Sequence, residues 1–502
     1  MTHELWDDLL QRMSESGGSP TMLGQVLFRV ALANEPVSRS AISKGRMLFR
    51  PATLAVGTVK KATDGLVREN LLAEEGTLSG AQPGPPAAAL RLGSEWAIIG
   101  IHIDQQHDGP DALAGIVCGL DRKPLTEMVV GEVPRKGDDH DLSRLSEEIY
   151  KLTKALLQEL DGPRKFLGVG VEIGGHVWRG IVQDSVHAGW SRQVDLQKTL
   201  ADVLGDIPEL KGVPGTAEND VNALAVHGYY ERSFGQEAGK EPDIVLLAVL
   251  RQGVGGALIL DDRTYHGVHG MAPEPGHLDV EYPEDDPAWR PPDAPSPAKA
   301  RTFADGCLCS TADRGKYGHL DTLAVPARIE GELAALKGEK VSLAKAAAAP
   351  RLLPSDERSL MASDEAVVLR RAGRALGRAI AHMINTLNPS QIVLRLPEAL
   401  AKPAAGSSAK EYLDAAESEI DRAYSTGPAD ARGQHSLLHI QSYVEEQVAR
   451  DGAIAAATTV FNAFIEHAYG RDGCEAPSGE DNQPLRAEGA AYSTRPGNRS
   501  AS

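Results

Sequence analysis

Along the first ninety residues the apolar positions recur at helical spacing. Leu23, Val26, Leu27, Val30 and Ala31 fall at i, i+3, i+4, i+7 and i+8, and Val59, Ala62 and Leu66 repeat the spacing at i, i+3 and i+7. This predicts amphipathic helices over about 21–33 and 57–69. Between them Ser38 can cap a short helix running through Ile42, and Pro51 prevents one continuous helix. Two short strands follow, 71–76 and 88–92, around a Gly/Pro-rich loop at 80–86. The order helix, helix, turn, helix, two-stranded wing is that of a winged helix-turn-helix over 20–92, with 1–19 as an N-terminal segment.

Beyond residue 93 the helical period gives way to short apolar runs. Runs at 97–103, 112–120 and 125–130 predict three sequential strands, 142–160 a helix and 166–171 a fourth strand. The series restarts at 244–250 and 256–260 and again leads into helices. Strands preceding helices in two successive halves predict an α/β protein of two lobes, 93–230 and 231–470, with a ligand cleft between them. The stripe Leu369, Ala372, Leu376, Ala379, Met383 and Leu387 marks a core helix over 364–387. The segment 281–300, rich in Pro and Asp, reads as a surface insertion, and 471–502 as a disordered polar tail.

Charge changes this picture in one place. The chain carries 52 Lys and Arg against 70 Asp and Glu, a formal charge of −18, which argues against bulk binding to nucleic acid or anionic membrane. Yet from Arg39 to Arg68 seven basic residues face the single acid Asp64, a local +6. Lys60 and Lys61 fall on the side of the third helix opposite Val59 and Leu66, available to phosphates or base edges. The competing reading is a merely solvated basic face. The charge segregation, the short middle helix and the wing favour DNA, with Arg39, Arg50, Thr58, Lys60 and Lys61 as candidate contacts. The wing loop 80–86 holds no Arg or Lys. Four cysteines, Cys118, Cys307, Cys309 and Cys474, are too few and too scattered for a disulfide framework. No apolar run is long enough to span a bilayer, so a cytoplasmic protein without membrane attachment is expected.

Three signals in the second half come in order: Glu218-Asn219-Asp220 after a short strand, Ala272 to His277 after a glycine-bearing turn, and Cys307-Leu308-Cys309 ahead of Gly318 to Asp321. With the winged helix they resemble the ROK family of repressors and sugar kinases, over about 20–468. The resemblance implies a two-lobed actin-like (ribonuclease H-like) sugar kinase fold carrying an N-terminal winged helix-turn-helix domain. It implies sugar contacts from Asn219, Asp220, Glu274, His277 and Asp321, with Asp220 as base in a kinase. A carboxylate there accepts hydroxyl hydrogen bonds and can take a proton; an Asn-Asp helix cap is the competing reading of the pair. It further implies a structural zinc ion held by His277, Cys307, Cys309 and His319, the last in place of a third cysteine, a set zinc accepts. Asp321 stands where the family has a longer Glu. Gly174 and Gly175 match a sugar-side turn, and His176 and Trp190 either line the pocket or pack.

Phosphoryl transfer needs glycine-rich loops close to a nucleotide. In the first such loop His102 replaces a carboxylate and Gln105 and Gln106 replace glycines. The second begins Arg251-Gln252 instead of Gly-Thr, and the third holds Arg395 and Leu396, expected to project where adenosine would sit. The sequence therefore predicts a regulator that binds operator DNA and a sugar effector, with no ATP, acting as a homodimer or homotetramer. A zinc-containing sugar kinase with an appended DNA-binding domain is the alternative.

Overall fold

The structure is a computed structural model that describes residues 3–33, 35–44, 54–78, 87–104, 111–133, 142–184, 193–231, 243–280, 319–356, 359–424 and 438–470. Arg50, the wing loop, Gln105 and Gln106, Trp190, the Pro/Asp insertion, Cys307, Cys309 and the polar tail lie outside them.

The chain opens with a helix that the sequence reading left as a plain segment, α1 (Glu4–Ser14). Trp6, Leu9, Leu10 and Met13, one helical face, are all buried. Next come α2 (Pro20–Ala33), α3 (Arg39–Lys44) and α4 (Val56–Arg68). The Ser38 hydroxyl accepts from the Ala41 amide at 3.1 Å, the expected cap on α3. Strands β1 (Leu72–Leu78) and β2 (Ala87–Leu92) pair antiparallel, and β2 also bridges Val37 ahead of α3.

The first large sheet draws on β3 (Trp96–Asp104), β4 (Asp111–Gly119), β5 (Val129–Val133), β6 (Lys165–Ile173) and β10 (Gly215–Asn219), in the order β10-β6-β3-β4-β5. The strand expected at 125–130 is displaced: β5 begins at Val129, while the Leu125 amide donates to the Val117 carbonyl in a turn after β4. Helices α5 (Leu142–Glu159) and α6 (Leu196–Gly205) cover one face, and a small sheet of β7 (His176–Trp178), β8 (Ile181–Asp184) and β9 (Val194–Asp195) leads to α6. Helix α7 (Asp220–Tyr230) follows β10 directly.

The second sheet has the order β13-β12-β11-β16-β17, from β11 (Ile244–Val249), β12 (Val254–Leu260), β13 (Arg263–Thr264), β16 (Gln391–Pro397) and β17 (Leu438–Tyr443). Helices α8 (Pro326–Lys337), α9 (Leu343–Ala348), α10 (Asp364–Leu387), α11 (Glu398–Ala401) and α12 (Ala409–Tyr424) pack on its far side, with a hairpin β14 (Leu352–Asp356) and β15 (Ser359–Ala362) beside them. Helix α10 has the bounds its apolar stripe predicts, capped by Ser363 and ended by Asn388 in the left-handed conformation.

Helix α13 (Glu445–Gly470) binds these parts together. Its residues Ala453 and Ala456 lie so close to β3 and β6 that a side chain at Gly100 or Gly170 would overlap the helix backbone. Its other half meets the N-terminal helices: Trp6 packs edge-on against Phe464 at 5.7 Å, and its indole nitrogen donates to the Leu167 carbonyl at 2.8 Å. Asp7 pairs with His467 at 2.6 Å. Leu9, Leu23, Leu27, Phe461, Phe464 and Ile465 share one continuous core with the inner faces of both sheets. The N-terminal helices are therefore docked on the two-lobed body by apolar burial, not tethered beside it.

Candidate functional site

The site forms where α7 begins. Asn219 caps this helix, its carbonyl oxygen accepting from the Val221 and Asn222 amides at 3.0 Å each, and its amide group donates to the Gly175 carbonyl at 2.9 Å. The cap reading of Asn219 thus holds, and the same bonds fix the position of Asp220. One Asp220 oxygen accepts from the Val221 amide at 2.8 Å. Glu274 pairs with His176 of β7 at 3.0 Å, so a second-lobe residue is joined to the first lobe. His176, mostly buried, therefore has a carboxylate partner from the second lobe.

Beneath Asp220 lies a buried group whose combined role the sequence reading missed. His102 on β3 is bonded to Glu172 on β6, both buried, and the second Glu172 oxygen has no hydrogen-bond partner among the described residues. Burial alone would lower the His102 pKa; the adjacent Glu172 overrides it and raises it to about 9. Asp220 is pushed up to about 7, first by desolvation and then by the Glu172 charge. The signal for Glu172 was an acid inside the otherwise apolar run 166–173, which becomes a buried strand.

A second missed pair flanks the first. Glu218 accepts from the Asn219 amide at 2.8 Å and from the Asn222 side chain at 3.1 Å, and its other oxygen meets His266 at 2.9 Å. His266 stands edge-on to Trp178. At Gly270, with φ +73°, a side chain would collide with Val177 and Trp178 of β7, so the 265–271 loop closes tightly on the first lobe. These contacts are set by tertiary approach of the lobes, which no local pattern announces.

Asp321 is engaged differently from a free sugar ligand. One of its oxygens accepts from the Val254 amide at 2.6 Å, and its carboxylate fills the space a side chain at Gly276 would need. Desolvation raises its pKa to about 6. His277 and His319 meet edge-to-face with ring centroids 5.6 Å apart, brought together although they are 42 positions apart in number, because the Leu320 amide donates to the Leu278 carbonyl. Among the described residues no group of three or more His, Cys, Asp or Glu could hold a metal.

Two of the residues that the sequence resemblance sets against nucleotide-binding loops, Arg251 and Arg395, make side-chain contacts of their own. Arg251 reaches Glu330 at 3.0 Å and Glu445 at 3.6 Å. Arg395 pairs with Asp451 at 2.7 Å and lies over the Tyr443 ring at 5.4 Å. Leu396 corrects the expectation placed on it: strand alternation turns it the other way, into the core beneath α10 and α12, so it does not project toward a base.

On the N-terminal side, Lys60 is exposed and bonds Asp64 at 2.6 Å, Thr58 is half-buried, and Lys61 is exposed with its stem against Gly17. Arg39 is tied inward: its guanidinium bonds Thr63 at 2.8 Å, Glu74 at 2.6 Å and Asp64 at 3.3 Å. It braces α3, α4 and β1 together, which the count of charges alone did not anticipate.

No described helix is long and apolar enough to cross a membrane. The xylose repressor of Bacillus spizizenii is 25% identical over 381 residues, covering 74% of this chain and 81% of that protein. That of Bacillus subtilis is 23% identical over 378 residues. A glucokinase of Halalkalibacterium halodurans is 28% identical over 252 residues, covering 48% of this chain and 66% of its own length. The crystal structure of a ROK family transcriptional regulator, a homologue of the E. coli MLC protein, superposes with a TM-score of 0.60 at 20% identity, covering 89% of this chain and 98% of that one. This likeness establishes the two-lobed fold. A sequence model of the ROK family matches residues 109–396, from the start of β4 into β16. Since that match takes in more than half of the 502 residues, the chain belongs to the ROK family.

Proposed function

We propose that this protein is a DNA-binding transcriptional repressor that senses a sugar. The observation that carries the reading is the reach of its kinship: similarity to the xylose repressor runs over 381 residues, well beyond the 252 shared with the glucokinase. In this reading residues 20–92 bind the operator, with Thr58, Lys60 and Lys61 toward the duplex and Arg50 kept as a candidate contact from the sequence, and lobes 93–230 and 231–470 enclose the sugar. Asn219, Asp220, Glu274 and His277 receive its hydroxyls, with Asp321 holding the pocket wall through Val254. The sugar regulates by binding the DNA-competent and incompetent states unequally. Paired operator half-sites call for a homodimer or homotetramer.

Zinc, held by His277 and His319 with Cys307 and Cys309, would pin the second-lobe loop that carries Glu274 beside His277. It would be a structural ion with no part in chemistry.

The test is selection of genomic fragments by the purified chain, repeated with D-xylose, D-glucose and amino sugars. A recovered site should bind more weakly as salt rises, and Lys60→Ala with Lys61→Ala should lower its affinity and flatten the salt slope. Failure to enrich any site sinks the reading. One observation favours a kinase: an Asp220 pKa near 7 suits a general base. Sugar-dependent ATP turnover in a coupled assay, abolished by Asp220→Asn, would establish that alternative; the Arg395 and Arg251 contacts at the nucleotide positions argue for its absence.

A further inference from the structure

The residues at the three nucleotide-loop positions have one neighbour in common. Arg395 pairs with Asp451 on α13, Arg251 with Glu445 in its first turn, and His102 and Glu172 press on Gly452, where any side chain would overlap them. Tyr443, just ahead of α13, lies beneath Arg395 and donates its hydroxyl to the Val249 carbonyl at 2.7 Å. These contacts come from β3, β6, β11, the β11–β12 turn and β16, and so from both lobes, yet they converge on two turns of one helix.

The same helix leaves the cleft and ends against the N-terminal helices. Ile465, Ala468 and Tyr469 crowd Gly24 of α2, and Phe464 meets Trp6 of α1. Alongside runs α7, which starts at Asp220 and is bonded to α13 through His227 to Thr458 and Tyr230 to Asn462, each at 3.0 Å. Its far end reaches α2 as well, Tyr230 standing edge-on to Phe28 at 5.8 Å. Two helices thus span from the sugar-side residues to α2, bonded to each other along the way.

We propose that the former nucleotide positions are rebuilt as a clamp, His102 with Glu172, Arg251 and Arg395, which fixes the cleft end of α13 and couples lobe closure to α2. The proposal rests on the regulator reading of the same cleft and adds the route by which it acts. Lobe closure on a sugar changes the separation of groups contributed by the two lobes. Because both lobes hold the same two turns, α13 must shift relative to at least one of them. A packed helix moves as a unit, so α2 feels the shift.

The test uses the full chain with Arg395→Met and, separately, Arg251→Gln, whose exposed side chain makes misfolding no concern. Hydrogen exchange is followed over 20–33, 220–230 and 445–470, with and without D-xylose or D-glucose. Affinity for the recovered operator is measured in parallel. In the parent, sugar should protect 220–230, alter exchange of 20–33, and change operator affinity by about fivefold or more. In the variants sugar should still protect 220–230, while the change at 20–33 and the affinity ratio fall to less than half the parent's. A variant that retains the parent's ratio overturns the clamp, as does a parent in which sugar protects 220–230 but leaves 20–33 unchanged.

A ligand-free comparison requires neither sugar nor operator. Arg395→Met should speed exchange across 445–451 and 20–33, and unchanged exchange at both overturns the clamp. If the variant loosens these segments while the parent responds to no sugar, the sensing reading falls and the clamp stands.

Discussion

The two ends of α13 are held by different physics. At the cleft end the partners are charged: Asp451 with Arg395, Glu445 with Arg251, and Gly452 under the His102–Glu172 pair. At the other end they are mainly aromatic and aliphatic, with Phe461, Phe464 and Ile465 in one core with Trp6, Leu9, Leu23 and Leu27, beside the Asp7–His467 pair. Burial of this kind is non-directional and large in total, so it fixes the N-terminal helices to the body. Ion pairs are directional, and a single one contributes about 1 kcal/mol or less when partly exposed. The difference assigns permanence to the end against the N-terminal helices and adjustability to the cleft end, over a helix about 39 Å long.

The sharpest way to break this comparison is Trp6→Ala. Trp6 is 1% exposed, touches Phe464 and bonds the Leu167 carbonyl. Its truncation should cost about 3–5 kcal/mol in denaturant unfolding and release α1 from α13. A loss under about 1 kcal/mol would mean the apolar end is not what docks the N-terminal helices.

The next effect concerns pH and is largest at the cleft end, where the raised groups Asp220 and His102 lie. Asp220, with its pKa raised to about 7, binds a proton more tightly folded than unfolded, so its contribution falls as pH rises from about 4 through 7. His102, raised from 6.5 to about 9, contributes fully below its unfolded value and loses that contribution as pH climbs through 9. Both signs agree: thermal stability should drop between pH 6 and 9, by an amount on the order of 2 kcal/mol. In Glu172→Gln the His102 part of this slope should flatten. A parent whose stability is level over that window would remove the charged pair from the account.

Arg395→Ala should cost less, about 1 kcal/mol, through loss of one partly buried pair and the contact with the Tyr443 ring. The measurement is the same unfolding curve. A cost as large as that of Trp6→Ala would erase the contrast between the two ends.

How far the sequence anticipated each end follows the same division. Local periodicity located α2, α4 and α10 nearly to the residue, since an amphipathic stripe is written in adjacent turns. The face of α1 was written as clearly, in Trp6, Leu9, Leu10 and Met13, and needed only to be read as a helix. The motifs Glu218 to Asp220 and Ala272 to His277 gave the cleft residues. Long-range pairings were illegible: Glu172 with His102, Glu218 with His266, and Arg395 with Asp451 join residues 70, 48 and 56 positions apart. Arg39 failed for a related reason, because charge in a window says nothing of which acid, Glu74 or Asp64, a fold will bring beside it.

The smallest expected effect on stability comes from Lys60→Ala. Lys60 is two-thirds exposed and its bond to Asp64 is a surface i, i+4 pair, so its removal should shift unfolding by less than about 0.5 kcal/mol. Operator affinity should fall nonetheless, with a salt slope shallower by about 1, because a cation lost from a phosphate contact retains one more counterion on the DNA. Arg39→Ala should do the reverse. Its guanidinium joins α3, α4 and β1, so stability should suffer more than the salt slope. If both variants change the slope alike, Arg39 leaves its internal partners to meet DNA. In that case the N-terminal helices, and not only the cleft end of α13, possess a charged contact that switches.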